Sequence, residues 1–135
     1  MTESIHTLVI GGGQAGVATS THLQKNGVPH LLLERDRIAE RWRTWRWDSL
    51  VANGPAWHDR FPDAEFTDLD PDEFAPKERV ADYFERFARD RSLPVRTGIA
   101  VTKLERTAAG FRATTADGTI EAQNVVVATG PFQKP

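Results

Sequence analysis

The sequence predicts an α/β fold, a parallel sheet into which an antiparallel meander is inserted, and three observations predict it. An apolar strand, a glycine-rich turn and a helix follow one another near the start. Several short strands with turn signals fill the second half, and a continuous apolar run, residues 124–128, returns after them.

Taken in order, residues 7–10 and 28–33 are apolar runs bounded by glycine or charge, the mark of buried parallel strands. Between them residues 14–25 carry the small residues Ala15, Gly16 and Ala18, then Leu23, with Asn26-Gly27 as a helix stop. The unit is β-α-β. Residues 37–47 alternate Arg and Trp, and a short helix there sets Trp42 and Trp45 on one side. Residues 51–76, rich in Pro and Asp with scattered aromatics, read as a long irregular excursion of the kind that is usually functional or mobile.

Pro76 suits a first helical position, and Val80, Tyr83, Phe84, Phe87 and Ala88 follow at the spacing of one helix face. Residues 95–97 read as a third short strand. Residues 99–106, 111–115 and 119–122 make a meander, with Asp117-Gly118 as a hairpin signal. Residues 124–128 are placed back in the parallel sheet beside the first strand.

A chain of 135 residues, 39% hydrophobic and 27% charged, has the size and composition of one soluble globular domain. Its net charge of -2 gives no general attraction to nucleic acid or to an anionic membrane. With no cysteine, disulfides, thiolate metal sites and a Cys nucleophile are excluded within these residues, and no other metal site is predicted. No apolar run approaches a membrane span and the N-terminus lacks a signal-peptide layout, so the cytoplasm is the simplest location.

In Gly11-Gly12-Gly13-Gln14-Ala15-Gly16 the first glycine permits a tight turn and the second lets a pyrophosphate approach the backbone. The third lets helix and strand pack closely, while N–H groups at the helix start, around Gln14 and Ala15, face the phosphates. Glu34, at the end of the second strand, can accept hydrogen bonds from ribose hydroxyls and would repel a 2′-phosphate. Arg35 beside it weakens that exclusion slightly. Turn and carboxylate together favour FAD or NAD over NADP at this site.

The glycine turn, Glu34, the meander and the late Val-Val-Val-Ala-Thr-Gly strand, in this order, resemble the FAD domain of the two-dinucleotide-binding-domain flavoproteins, a Rossmann-like sheet with an inserted antiparallel β-meander. Relatives with the glutathione reductase layout carry a redox cysteine pair after the second strand, and this chain has none there. Residues 40–53, Glu-Arg-Trp-Arg-Thr-Trp-Arg-Trp-Asp-Ser-Leu-Val-Ala-Asn, resemble the flavin-containing monooxygenases and their bacterial relatives.

The resemblance implies that Trp42 lies near the flavin phosphates and ring, Asp48 near the entrance to the flavin site, and Asn53 beside the reactive edge of the flavin. It implies backbone bonds from Val101 to adenine, and a second nucleotide-contacting turn at Ala128, Thr129 and Gly130. The implied activity is reduction of FAD by NADPH and oxygenation of a small organic substrate through a C4a-hydroperoxide, which the Asn53 amide would stabilise. Read without the family, Asn53 is a loop asparagine satisfying local backbone.

The likeness covers residues 1–135 as the N-terminal portion of such an FAD domain; the NADPH-binding domain, with its second GxGxxG, and the C-terminal part do not follow. This portion alone is expected not to oxidise NADPH, and a stand-alone FAD-binding module or a non-catalytic interaction domain are the rival readings. A further departure is Ala39-Glu40-Arg41-Trp42, where relatives commonly have Gly-Gly-Thr-Trp. The implied partner is a small-molecule substrate, homo-oligomers being compatible with the sequence. The Arg/Trp stretch could stack bases, but Asp48, Asp59, Asp63, Asp68, Asp70 and Asp72 follow and argue against a nucleic-acid track. His6, His22, His30 and His58 read as surface or satisfied residues.

Overall fold

In the apolar run of the first strand, Leu8 and Val9 point to opposite faces and both are fully buried, so the sheet is covered on both sides. The computed structural model describes residues 2–131. The elements are β1 (Thr2–Ile10), α1 (Gln14–Lys25), β2 (His30–Leu33), α2 (Glu40–Thr44), α3 (Lys77–Asp90), β3 (Val95–Arg96), β4 (Lys103–Thr107), β5 (Gly110–Thr115) and β6 (Gly118–Val127). They form a 6-stranded sheet of order β3-β2-β1-β6-β5-β4. The pairs β3-β2, β2-β1 and β1-β6 are parallel, and β6-β5 and β5-β4 antiparallel.

One core cluster lies on the helical side, where Val9 and Leu32 meet Val17 of α1 and Val80, Phe84 and Phe87 of α3. The other joins Leu8, Leu31 and Leu33 to Ala113, Ile120 and Ala122 of the meander, with Ile99 and Val101 packed against it. The meander therefore covers the face that α1 and α3 leave bare.

The expected strands 119–122 and 124–128 are one continuous strand, β6. It pairs with β5 over its first half and with β1 along its length, in constant register from Thr2↔Thr119 to Ile10↔Val127. This also extends β1 back from Thr7 to Thr2, through residues whose alternating exposure hid them from a search for apolar runs. β4 begins at Lys103 rather than residue 99. The chain before it runs extended past the end of β2, where the Ile99 amide donates to the Glu34 carbonyl (3.0 Å) and the Thr102 amide to that of Thr114 (2.9 Å).

α3 buries the face predicted for it, with Pro76 as its cap rather than its first residue. The excursion 51–76 is fastened at its base by a bridge between Val51 and Pro76 and a 2.8 Å bond from the Ala52 amide to the Ala75 carbonyl. Phe61 and Phe66 stack on Tyr83, whose hydroxyl accepts from the Phe61 amide (2.7 Å) and donates to the Ala64 carbonyl (2.5 Å). It is thus a closed loop riding on α3.

Candidate dinucleotide site

The glycine turn divides its labour between fold and ligand. Gly11 has φ +113°, and a Cβ there would lie 2.3 Å from the carbonyl oxygen of Ala128, because the turn passes directly against the end of β6. A Cβ on Gly16 would lie 1.8 Å from the Gly11 carbonyl oxygen, so α1 can close onto the turn only without a side chain. A Cβ on Gly13 meets nothing within 4 Å. The first and third glycines shape the turn, and the second faces open space.

Gly13 caps α1 with extended backbone and no side-chain cap, so the helix itself provides no acceptor for its first N–H groups. Those donors and the positive end of the helix dipole suit an anion. Beside them, Glu34 accepts from the Gly12 amide through Oε2 (2.6 Å) and from the Asp36 amide through Oε1 (2.8 Å). The carboxylate is thereby fixed at the end of β2, next to the turn. Arg35 pairs with Asp36 at 3.0 Å on the outside.

These groups border a cleft of about 950 Å³, lined by residues 10–15, 33–36, 99–101 and 127–131, together with the α2 region. That volume lies at the upper end of the roughly 300–1,000 Å³ usual for small-molecule sites. α2 contributes Trp42, half-buried with its ring edge-on to Phe84 at 6.5 Å, and Trp45, which is 66% exposed. The Arg46 guanidinium lies over Trp42 (5.6 Å) and that of Arg41 over Trp45 (5.1 Å). Both tryptophans thus face the cleft, and Trp45 is not buried against the sheet.

Of the residues singled out in the sequence, Gly11, Gly13, Gln14, Ala15, Glu34, Arg35, Trp42, Val101, Ala128, Thr129 and Gly130 line this cleft. Gly16 stands behind it as packing. Asp48 and Asn53 are exposed and do not line it; Asp48 is held by Lys77 at 3.3 Å. Sequence reasoning overlooked Arg46 in the wall and Lys77 behind it. Arg46 was legible as one of the alternating Arg/Trp residues, but nothing marks Lys77 among the charges of α3.

His30 is buried and satisfied by Ser20 and the Val28 carbonyl, both at 2.8 Å; His58 is exposed and paired with Asp59 at 2.7 Å. Among the described residues no group of 3 or more His, Asp or Glu side chains could hold a metal, and no helix is long and apolar enough to cross a membrane.

A parallel β-α-β unit with an open glycine turn, an acidic group at the second strand and a meander across the other face defines a dinucleotide-binding domain of the flavoprotein type. The chain belongs to the pyridine nucleotide-disulphide oxidoreductase family, whose pattern matches residues 8–135, and corresponds to the N-terminal portion of the FAD domain of flavin-containing monooxygenases. It is 38% identical, over all of its length, to an uncharacterised CzcO-like oxidoreductase of Geobacillus kaustophilus, of which it spans 38%. Over 60% of its length it is 37% identical to a probable indole-3-pyruvate monooxygenase of Arabidopsis thaliana, spanning 20% of that protein. A flavin-containing monooxygenase from Stenotrophomonas maltophilia superposes with a TM-score of 0.85 at 25% identity, over 98% of this chain and 41% of that one.

Proposed function

We propose that this chain supplies the FAD-binding surface of an NADPH-dependent flavin monooxygenase that oxygenates a small organic substrate. The observation that carries the reading is the cleft itself, in which the open side of Gly13, the fixed carboxylate of Glu34 and the rim formed by Ala128, Thr129 and Gly130 converge. The donor set fits an ADP-containing dinucleotide: helix-start N–H groups around Gln14 and Ala15 hold the pyrophosphate, and Glu34 takes the ribose hydroxyls. Backbone at Val101 serves the adenine, and Trp42 walls the flavin end.

Flavin, when bound, supplies hydride acceptance and oxygen activation. The chain's own residues bind it, orient it and keep water from it. Asp48 and Asn53 lie outside the cleft wall, and would serve at the entrance and at the reactive edge of the cofactor where the flavin extends beyond it. NADPH binding and the substrate pocket belong to the whole protein, since the chain spans about 40% of the CzcO-like oxidoreductase and of the solved flavin-containing monooxygenase, and 20% of the Arabidopsis relative.

The test is the visible spectrum of the purified protein, identification of the released cofactor, and thermal unfolding with added FAD or ADP. A yellow protein that yields FAD, or a melting temperature that rises with ADP, is the expected result. At a hundredfold excess of ligand over its Kd the gain is about 2.7 kcal/mol. A colourless protein indifferent to both nucleotides, or one that releases NAD alone, overturns the reading.

A further inference from the structure

Lys77 is a lysine in the wrong place on two counts. Its side chain is only 7% exposed, rare for an ammonium group, and it opens α3, where the helix dipole disfavours positive charge. Besides an ion pair with Glu78 of its own helix at 3.6 Å, both costs are met on one short piece of neighbouring chain. The Lys77 ammonium donates to the carbonyls of Arg43 (3.4 Å) and Arg46 (3.2 Å) and to Oδ1 of Asp48 (3.3 Å), while its amide donates to the Leu50 carbonyl (3.1 Å). The Arg43 carbonyl belongs to the end of α2, which needs donors and favours a cation.

One residue thus bonds the chain at 43, 46, 48 and 50, directly behind Trp42, Trp45 and Arg46 of the cleft wall. Arg43, paired with Asp82 and Glu85, and Trp42, set against Phe84, tie the same wall to α3. Arg43 has two anchors on the helix exterior, whereas the Lys77 ammonium reaches the backbone beyond α2 at Arg46. We propose that Lys77 is a positioning residue that holds residues 43–50 in place as the flavin-side wall of the dinucleotide cleft. This rests on the FAD reading above. It implies that Lys77 acts on the flavin half of the ligand and leaves the ADP half, bound by the glycine turn and Glu34, untouched.

The experiment compares the chain with Lys77→Met, which keeps the stem and removes the charge, and with Lys77→Arg, which keeps a buried donor. Amide hydrogen exchange is followed residue by residue, and ADP and FAD are titrated separately. In Lys77→Met, exchange over residues 43–50 should accelerate about tenfold or more while β1 and α1 are unchanged, as expected for loss of a buried charged hydrogen-bond hub. FAD affinity should fall about tenfold with ADP affinity within about twofold, Lys77→Arg lying between Lys77→Met and the parent. Unchanged exchange over 43–50, or equal losses for ADP and FAD, overturns the assignment. If the parent binds neither ADP nor FAD, the functional reading falls instead, and the exchange comparison alone decides whether Lys77 holds the segment. If Lys77→Met does not fold, Lys77→Arg decides: parent-like exchange and FAD affinity support the assignment, and parent-like exchange with a tenfold loss of FAD overturns it.

Discussion

Gly13 and Gly16 lie within one turn of chain yet answer to different demands. Gly16→Ala drives a methyl group into the Gly11 carbonyl, 1.8 Å away, and should destabilise the fold by about 2 kcal/mol or more. Gly13→Val points its side chain into open space, so thermal stability should stay within about 1 kcal/mol of the parent while ADP binding is lost. Paired melting curves and ADP titrations separate the two effects, and a Gly13→Val protein that still binds ADP would remove the turn from the site. At this scale the sequence was most informative, because a glycine's purpose follows from its spacing and Glu34 follows from the end of a strand. Ala39 shows the reverse. It takes a left-handed conformation (φ 59°), a strain that no composition or periodicity announces.

At the level of elements, α1 was legible from its small residues and the Asn26-Gly27 stop, α3 from periodicity, and the meander from its turn residues. The excursion 51–76 was not, since its order comes from side chains that meet only in three dimensions. Phe61 and Phe66 find Tyr83 across α3, and the Tyr83 hydroxyl ties the loop backbone at Phe61 and Ala64. Burial raises the Tyr83 pKa above its usual 10.0, against the smaller opposing effect of the Phe61 amide. A phenol whose pKa is raised on folding stabilises the protein fully below its unfolded pKa and ceases to do so as pH rises through the folded value. Stability should therefore fall with increasing pH above about 10 through this group. Tyr83→Phe should cost about 1–2 kcal/mol at neutral pH and flatten that alkaline limb. Denaturant titrations at pH 8 and above 10 check it; an undiminished alkaline limb in Tyr83→Phe would assign the effect elsewhere.

For the whole molecule, the return of residues 124–128 to the side of the first strand could be foreseen, but their union with residues 119–122 in one strand could not. Residues 119–122 alternate and residues 124–127 do not, which reads as two strands, and only β1 running the full length alongside makes them one. The same pairing pins the site, since the Ala128 amide donates to the Ile10 carbonyl (2.8 Å) beside Gly11. Partners in the β1-β6 ladder are far apart along the chain, Thr2 and Thr119 being 117 residues distant. Closing so long a loop is slow, and contacts of that kind delay folding. Time therefore enters the design: the nucleotide cleft cannot exist until β1 and β6 have met, so it should be among the late structures to form. A ligand that recognises only the finished cleft cannot help the chain to reach it. ADP should slow unfolding in proportion to its stabilisation and leave the refolding rate nearly unchanged, which stopped-flow refolding and unfolding with and without ADP would reveal.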